Sequence, residues 1–199
     1  LRRLPMARRR VVLASSRAIY GEGLYRTQHG DLVVPPPRSA AAMQKGRFVP
    51  LDVDGFALEP LATPETTPPA PASIYASTKL MQEFILRQGF DGTSIEVAVL
   101  RVQNVYGSGQ SVRNPYTGVL SIFSQKLHEG HDIEIFEDGR ITRDFVHVSD
   151  VVRALRAAAE IDSVPDTAVN IGSGIPATIE AVARLLLKLH GRESANLSV

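Results

Sequence analysis

The residues best suited to chemistry are a tyrosine and a lysine four positions apart, in the segment Tyr75-Ala-Ser-Thr-Lys79. Positions i and i+4 lie on one face of an α-helix, so a helix here brings an ammonium group beside a phenol. A free phenol ionises at about pH 10, and a nearby positive charge stabilises its phenolate form. The pair predicts a phenol that takes a proton near neutral pH, although this spacing alone also arises by chance.

Two serines at the end of a predicted strand supply further hydroxyl groups. Residues 10–16 (RVVLASS) contain two β-branched valines and end with Ser15 and Ser16. Such a run is typical of a buried parallel strand whose carboxyl end opens onto a site. A hydroxyl there can share a proton with the substrate oxygen that the phenol addresses.

The element that must carry Tyr75 and Lys79 is an amphipathic helix predicted over residues 73–87, with Gly89 as its stop. Its large apolar side chains recur near one face at 3.6-residue spacing. They are Ile74, Leu80, Met81, Phe84 and Ile85.

Strands and helices alternate along the rest of the chain, which predicts the α/β class with a mainly parallel sheet. The loop after the second strand, residues 101–110, lies where ligands collect in such sheets. The predicted elements are strands at 94–100, 133–136, 145–148 and 168–171, turns at 137–140 and 172–174, and helices at 119–128, 150–160 (capped by Asp150) and 178–190 (with Gly191 as C-cap).

Prolines concentrate in one stretch: nine of the 13 lie between Pro35 and Pro71. The stretch lacks helical or strand periodicity, which predicts an extended surface excursion. Long loops of this kind are often functional lids or inserts.

Composition excludes several classes of function. Lys and Arg number 22 against 21 Asp and Glu, and aromatics are 6% with no Trp, which disfavours a nucleic-acid partner. The absence of cysteine removes disulfides and thiolate sites, which fits a reducing, cytoplasmic location. No apolar run approaches the roughly 20 residues that cross a bilayer, so we expect a soluble protein with no membrane partner. The five histidines lack metal-ligand spacing, so we predict no metal.

Four ordered segments carry a resemblance to a known family. They are Ala14-Ser-Ser-Arg-Ala-Ile-Tyr-Gly21, Tyr75-x-x-x-Lys79, Leu100-Arg-Val-Gln-Asn-Val-Tyr-Gly107 and Arg143-Asp-Phe-Val-His-Val-x-Asp150. Over residues 11–179, the chain resembles the extended short-chain dehydrogenase/reductases, and among them the NAD-dependent nucleotide-sugar epimerases and dehydratases. Within the epimerases it looks most like the deoxysugar branch.

The resemblance implies a role for particular residues. Ser16, Tyr75 and Lys79 match the catalytic residues, which also contact NAD. Gln103 matches a residue behind the nicotinamide. The positions that match contacts to the nucleotide-diphosphate sugar are Asn104, Glu134, Ile135, Phe136 and Arg143; an arginine suits a diphosphate because its planar fork can bond two oxygens.

The resemblance also implies a fold: the second half of a Rossmann-like parallel sheet over residues 1–110, with the Pro-rich insert at 31–71. Part of a small substrate-binding domain follows over 111–199, interleaved with the last Rossmann strand near 145–170. No counterpart of the family's Gly-x-x-Gly-x-x-Gly turn for the NAD pyrophosphate occurs, and Gly21-x-Gly23 is no substitute. We therefore expect a fragment of a parent of about 300 residues, inactive as a piece.

The reaction that the resemblance implies is oxidation of a sugar hydroxyl to a ketone, with hydride passing to NAD. Arg17 and Ala18 follow Ser16 where dehydratases carry carboxylates, which favours 4-epimerisation. The alternatives are a nucleotide-sugar 4,6-dehydratase, a 4-ketoreductase or a non-catalytic remnant. Family members often pair through the tyrosine-bearing helix, so the resemblance implies a homodimer.

Other polar residues have simpler interpretations. We expect Asp144 to fix a turn, the glycines at 172–174 to form a tight turn rather than a phosphate cradle, and His147 to be structural. The remaining tyrosines lack a lysine four residues on and are expected to pack or lie in loops; they are Tyr20, Tyr25, Tyr106 and Tyr116.

Overall fold

The computed structural model describes residues 9–111, 118–193 and 197. Tyr116 therefore lies outside the described residues. The elements in chain order are β1 (Arg9–Ser16), a 3₁₀ turn (Arg17–Tyr20), β2 (Tyr25–Arg26), β3 (Leu32–Val33), α1 (Ala40–Gln44), β4 (Glu59–Pro60), α2 (Ile74–Phe90), β5 (Ile95–Val102), β6 (Asn104–Tyr106), α3 (Val119–His128), β7 (Thr142–His147), α4 (Val148–Glu160), β8 (Val169–Ile171), β9 (Pro176–Thr178) and α5 (Ile179–Leu189).

The chain divides into two compact units that interleave in sequence. The first unit comprises residues up to Arg38, Val49–Val102 and Val152–Ile171. The second comprises Ser39–Phe48, Gln103–Val151 and the residues from Gly172 onward. The domain division predicted at residue 110 stays a prediction.

The first unit is built on a parallel sheet in the order β1-β5-β8. β1 and β5 pair over their whole length, from Arg9 opposite Ile95 to Ser16 opposite Val102. One face is covered by the part of α4 around Ala158, which packs with Ala98 and Leu100. The parallel sheet with covering helices confirms the predicted α/β class, because such sheets bury both faces.

The Pro-rich excursion has little regular structure, as predicted. Within the first unit, β2 pairs antiparallel with β3 and β4. Between β3 and β4 the chain makes a narrow turn. In this turn, Asp52 Oδ1 accepts hydrogen bonds from the backbone amides of Asp54 (3.0 Å) and Phe56 (2.8 Å). An aspartate that bonds its own backbone in this way fixes a turn without a core. Val53, at the tip of this turn, is fully exposed.

The second unit has its own sheet and core. β6 runs parallel to β7, and β7 runs antiparallel to β9. The prediction of a loop over 101–110 is therefore wrong at 101–102, which belong to β5, and at 104–106, which pair with a strand 41 residues away. α3, whose predicted bounds are confirmed, packs with α5 around Ile133 and Ile135.

The strand predicted at 133–136 is also wrong. Its side chains alternate as a strand requires: Ile133 and Ile135 are buried, while Glu134 and Phe136 are exposed. However, only Glu134 makes a β-bridge, so no ladder forms. The turn predicted at 137–140 is confirmed, and Glu137 adopts a positive φ of 63° in it.

The start of α4 and the cap at the end of α5 differ from the prediction. α4 begins at Val148, so Asp150 lies in its first turn and is not its cap. His147 fills that role instead, because its Nδ1 accepts from the amide of Ser149 at 3.3 Å. At the end of α5, His190 is the C-cap and Gly191 follows with φ 66°, which is the glycine position of a Schellman motif.

Candidate active site

Helix α2 presents Tyr75 in its first turn. Ser73 caps the helix, since its Oγ accepts from the amide of Ala76 at 3.1 Å. The helix continues past the stop predicted at Gly89 and ends at Phe90, and the left-handed glycine is Gly92, with φ 67°. The Tyr75 side chain is 56% exposed, so the phenol is accessible from solvent.

Lys79 lies beside Tyr75, as the spacing predicts. Its Nζ is 6.0 Å from the centre of the Tyr75 ring. The same ammonium donates a hydrogen bond of 2.9 Å to the carbonyl oxygen of Ala14, near the end of β1. This bond holds the Lys79 ammonium at the end of β1, while the same group lies within 6.0 Å of the Tyr75 ring centre.

The two serines at the end of β1 have different environments. Ser16 is half-buried, and its Oγ accepts from the amide of Ala18 at 3.1 Å. A hydroxyl that accepts one bond still has its own proton to donate. Ser15 is buried and donates to the carboxylate of Glu83. Arg17 turns back to the carbonyl of Gly21 at 3.0 Å, and burial lowers the pKa of its guanidinium.

A buried ion pair that the sequence analysis missed lies behind Tyr75 and Lys79. Glu83 (3% exposed) accepts two hydrogen bonds from Arg101 (8% exposed), at 3.1 Å from Nε and 2.8 Å from a terminal nitrogen. Arg101 also donates to the Tyr20 hydroxyl at 2.8 Å, and that hydroxyl donates to Asn170 Oδ1 at 2.9 Å. We call Ser15, Tyr20, Glu83, Arg101 and Asn170 the Glu83–Arg101 cluster.

The charges in this cluster shift its titrations. Burial raises the pKa of Tyr20, although the hydrogen bond from Arg101 opposes that rise. Burial acts to lower the pKa of Arg101, but its bonds to Glu83 and Tyr20 outweigh that effect and raise it. The signals in the sequence are a charged residue at the end of an apolar strand and a glutamate one turn beyond Lys79.

In the second unit, Asp144 organises the turn after β8. Its carboxylate accepts hydrogen bonds from the amide and hydroxyl of Ser173, both at 2.7 Å, and from the amide of Gly174 at 2.9 Å. A Cβ on Gly172 would lie 2.3 Å from Asp144 Oδ2. This confirms that Asp144 fixes a turn, and it shows that these amides are already occupied rather than arranged to bind a phosphate.

The residues predicted to bind substrate lie in the second unit, and so does Gln103. Asn104 Nδ2 donates to the backbone carbonyl of Asp144 at 3.2 Å. Arg143 is half-buried and donates to the carbonyl of Thr142 at 2.9 Å. Glu134 and Phe136 are exposed, but Ile135 is 2% exposed within the core. Only the backbone of Ile135 is therefore left to contact a ligand.

Two of the predicted catalytic residues lie near the end of one strand. Ser16 is the last residue of β1, and Lys79 bonds the carbonyl of Ala14 two residues before it, while Tyr75 lies one helical turn before Lys79 in the same unit. An exposed phenol, a fixed ammonium and a serine hydroxyl can together remove a proton from an alcohol and return it. In the described ranges, no group of three acidic or histidine side chains could hold a metal ion, and no helix is long and apolar enough to span a bilayer.

Comparison with known proteins decides the family. The sequence model described as "NAD dependent epimerase/dehydratase family" matches residues 56–172, more than half of the chain. The chain belongs to this family. Membership confirms the resemblance seen in the sequence, the Rossmann-like fold and the dependence of the family's chemistry on NAD.

Relatives in this family include several sugar-nucleotide epimerases. The dTDP-L-rhamnose 4-epimerase of Burkholderia thailandensis is 38% identical over 181 residues, which are 91% of this chain and 49% of the relative. The UDP-glucose 4-epimerase of Mycolicibacterium smegmatis is 36% identical over 114 residues, 57% of this chain and 36% of that protein.

A solved structure supports the fold of this family member. The UDP-glucose 4-epimerase of Thermotoga maritima, determined with UDP-glucose, superposes with a TM-score of 0.70 at 28% identity, covering 96% of this chain and 50% of that one. The chain thus spans about half the length of the Burkholderia and Thermotoga relatives.

Proposed function

We propose that this chain is the catalytic-tyrosine part of an NAD-dependent nucleotide-sugar 4-epimerase. The observation that carries the proposal is the pair on α2: an exposed phenol at Tyr75 with the Lys79 ammonium 6.0 Å from its ring. The names of the Burkholderia and Thermotoga relatives support a sugar nucleotide as the substrate.

Each catalytic residue has a distinct part in the proposed reaction. Tyr75, as phenolate, takes the proton of the sugar hydroxyl. The sugar carbon that carries this hydroxyl group becomes a ketone. Lys79 stabilises the phenolate by its charge. Ser16 shares the proton through its hydroxyl. NAD, when bound, supplies the hydride acceptor for that carbon.

The residues present fit the nicotinamide side of NAD better than its pyrophosphate. Tyr75 and Lys79 offer a hydroxyl and an ammonium to a ribose, and Gln103 is proposed to lie against the nicotinamide. Gly21 has φ 61°, and a Cβ there would lie 2.3 Å from the carbonyl oxygen of Ala70, so this glycine serves close packing. The amides of residues 173 and 174 are held by Asp144.

We therefore expect the 199-residue chain to bind NAD weakly. The sequence has no Gly-x-x-Gly-x-x-Gly turn whose amides could cradle the pyrophosphate, so it lacks a main source of dinucleotide affinity. Calorimetric titration with NAD should give a Kd weaker than about 1 mM, and the Tyr75→Phe chain serves as the control for binding at the ribose end. A micromolar Kd would contradict this expectation.

The substrate is proposed to contact the second unit through Asn104, Glu134, Phe136, Arg143 and the backbone of Ile135. Arg143 carries the fork geometry that suits a diphosphate. Asn104 is held by the Asp144 carbonyl, which orients its amide.

Epimerisation is favoured over dehydration by the residues after Ser16. Arg17 is turned to the Gly21 carbonyl, and Ala18 has no acid, so this turn offers no carboxylate to remove a further proton. The natural gene product, given dTDP-L-rhamnose or UDP-glucose, should yield a product with the mass of the substrate and inverted configuration at C4. A product lighter by one water would indicate a dehydratase, and absence of conversion with every sugar nucleotide tested would favour a non-catalytic remnant.

Helix α2 also supports the proposal of a homodimer. Its apolar stripe is exposed in this chain rather than buried, and the residues of the stripe that are more than half exposed are Ile74, Met81, Phe84 and Ile85. Burial of such a stripe against a second copy would remove it from water.

Phe84→Glu tests this pairing. A carboxylate in a buried helix contact is costly, so the variant should sediment as a monomer where the parent sediments as a dimer. Val53→Glu makes the same type of change at another exposed apolar position and should leave the dimer intact. A dimer that survives Phe84→Glu would exclude this helix as the interface.

A further inference from the structure

One face of α2 runs from solvent into the interior. Tyr75, Lys79 and Glu83 follow each other at intervals of four residues, so they lie in successive turns on one side of the helix. The Tyr75 side chain is more than half exposed, Lys79 is intermediate and Glu83 is buried. The reactive phenol and the buried carboxylate are thus two ends of the same rigid segment.

This face is bonded to consecutive residues of β1. Lys79 Nζ binds the carbonyl of Ala14, and the Glu83 carboxylate accepts from the hydroxyl of Ser15. Ser16, the next residue, is the proposed catalytic hydroxyl. Two bonds from successive helical turns to successive strand residues fix both the height of the helix along the strand and its rotation about its own axis.

The anchor for Glu83 is a row of polar residues across the sheet. Ser15 on β1 is in register with Arg101 on β5, which is in register with Asn170 on β8. Arg101 reaches Glu83 on one side and Tyr20 on the other, and its guanidinium carbon lies 5.0 Å from the centre of the Tyr20 ring.

Residues of this row also form hydrogen bonds with the last part of the Pro-rich excursion, which precedes Tyr75 in the chain. Arg101 donates to the backbone carbonyl of Glu65 at 3.3 Å, and the backbone amide of Asn170 donates to the Glu65 carboxylate at 2.9 Å. Asn170 Nδ2 also donates to the carbonyl of Thr63 at 3.0 Å. The last part of the Pro-rich excursion is therefore fixed to the sheet at residues 63 and 65, which lie 11 and nine residues before the start of α2.

Stability alone is a poor reason for a buried ion pair. Two charges lose their hydration on burial, and apolar residues of similar volume often replace such a pair at no cost. What an ion pair with several directed hydrogen bonds adds is a defined geometry. At a catalytic site, a displacement of about 1 Å can lower the rate by about 10²-fold.

We propose that Glu83 and Arg101 are positioning residues that set the placement of Tyr75 and Lys79 relative to Ser16. The inference rests on the proposed function of that trio. It predicts that loss of the Glu83 charge impairs the chemical step while substrate binding, which we assign to residues of the second unit, stays intact.

The test is Glu83→Gln in the natural gene product, assayed by epimerisation of a sugar nucleotide that the parent converts. We expect kcat to fall about 10²-fold, with KM within about threefold of the parent, at a temperature where circular dichroism shows both proteins folded. Gln82→Ala, an exposed neighbour on the same helix, is the control and should retain parental kcat. A folded Glu83→Gln enzyme with parental kcat would overturn the proposal.

A double variant distinguishes an effect on the placement of the catalytic residues from an effect on the stability of the fold. It also provides a test if Glu83→Gln alone does not fold. Glu83→Gln with Arg101→Met removes both charges and should have a higher thermal midpoint than Arg101→Met alone, because no unpaired charge stays buried. We expect its kcat to stay low. Recovery of parental kcat together with stability would show that the pair acts only on folding, which refutes a positioning role.

Failure of the proposed function would look different. If Tyr75→Phe kept parental turnover, the catalytic trio itself would be wrong, whatever Glu83→Gln does. If Tyr75→Phe were inactive while the Glu83→Gln enzyme was folded and fully active, only the positioning inference would fail.

Discussion

Tyr75→Phe should lower kcat about 10³-fold in the natural gene product, the middle of the range for loss of a general acid–base group. The change removes one oxygen from a side chain that is more than half exposed, so the helix and the neighbouring Lys79 should be unaffected. Binding of the sugar nucleotide, measured by calorimetry, should stay within about threefold of the parent.

Tyr106→Phe is the matched control for this experiment. It removes the same oxygen from another exposed tyrosine, and the edge-to-face contact of the Tyr106 ring with His147, at 5.3 Å between centroids, can persist in phenylalanine. We expect its kcat to stay within about twofold of the parent. Equal activity of the two variants would contradict the assignment of Tyr75 as the base.

Arg101→Met should destabilise the protein by about 3–5 kcal/mol. The change leaves the Glu83 carboxylate buried with only the Ser15 hydroxyl among its present partners, and it removes the donor to Tyr20. A buried charge without its counter-ion must either stay unpaired or take up a proton, and both cost free energy. The measurement is the free energy of unfolding in urea.

Arg184→Met provides the comparison for a salt bridge at the surface. Arg184 pairs with Glu180 at 2.7 Å, one helical turn away, and both side chains are largely exposed. Pairs of this kind contribute about 0.3–0.5 kcal/mol. A loss below about 1 kcal/mol for Arg101→Met would mean that water or another cation compensates Glu83, and the cluster could not be called a buried ion pair.

The local features of the candidate site could be predicted from sequence because they depend on periodicity over a few residues. The β-branched run that ends at Ser16 gives β1, and helical spacing brings Tyr75 beside Lys79. The same local reasoning gave the bounds of α3.

The Glu83–Arg101 cluster could not be predicted in this way, because its members come from four distant parts of the chain. Ser15, Arg101 and Asn170 meet only through the register of β1, β5 and β8. A register of parallel strands is set by packing and long connections rather than by neighbouring residues.

Packing across the sheet also decides which face of α2 is buried, and the apolar stripe is not that face. Helical periodicity showed that Met81, Phe84 and Ile85 share a face, but it could not show which face meets the sheet. The buried residues of α2 are Ala76 and Glu83, a small side chain and a paired acid. The strand expected at 133–136 failed for a related reason, since correct alternation does not supply a partner strand.

The turn closed by Asp52 offers a practical handle on this protein. Since the chain has no cysteine, Val53→Cys would introduce a single thiol at a fully exposed tip whose backbone is held by its own aspartate. A fluorophore or spin label attached there would report on one defined location, with no competing reactive sulfur to remove beforehand.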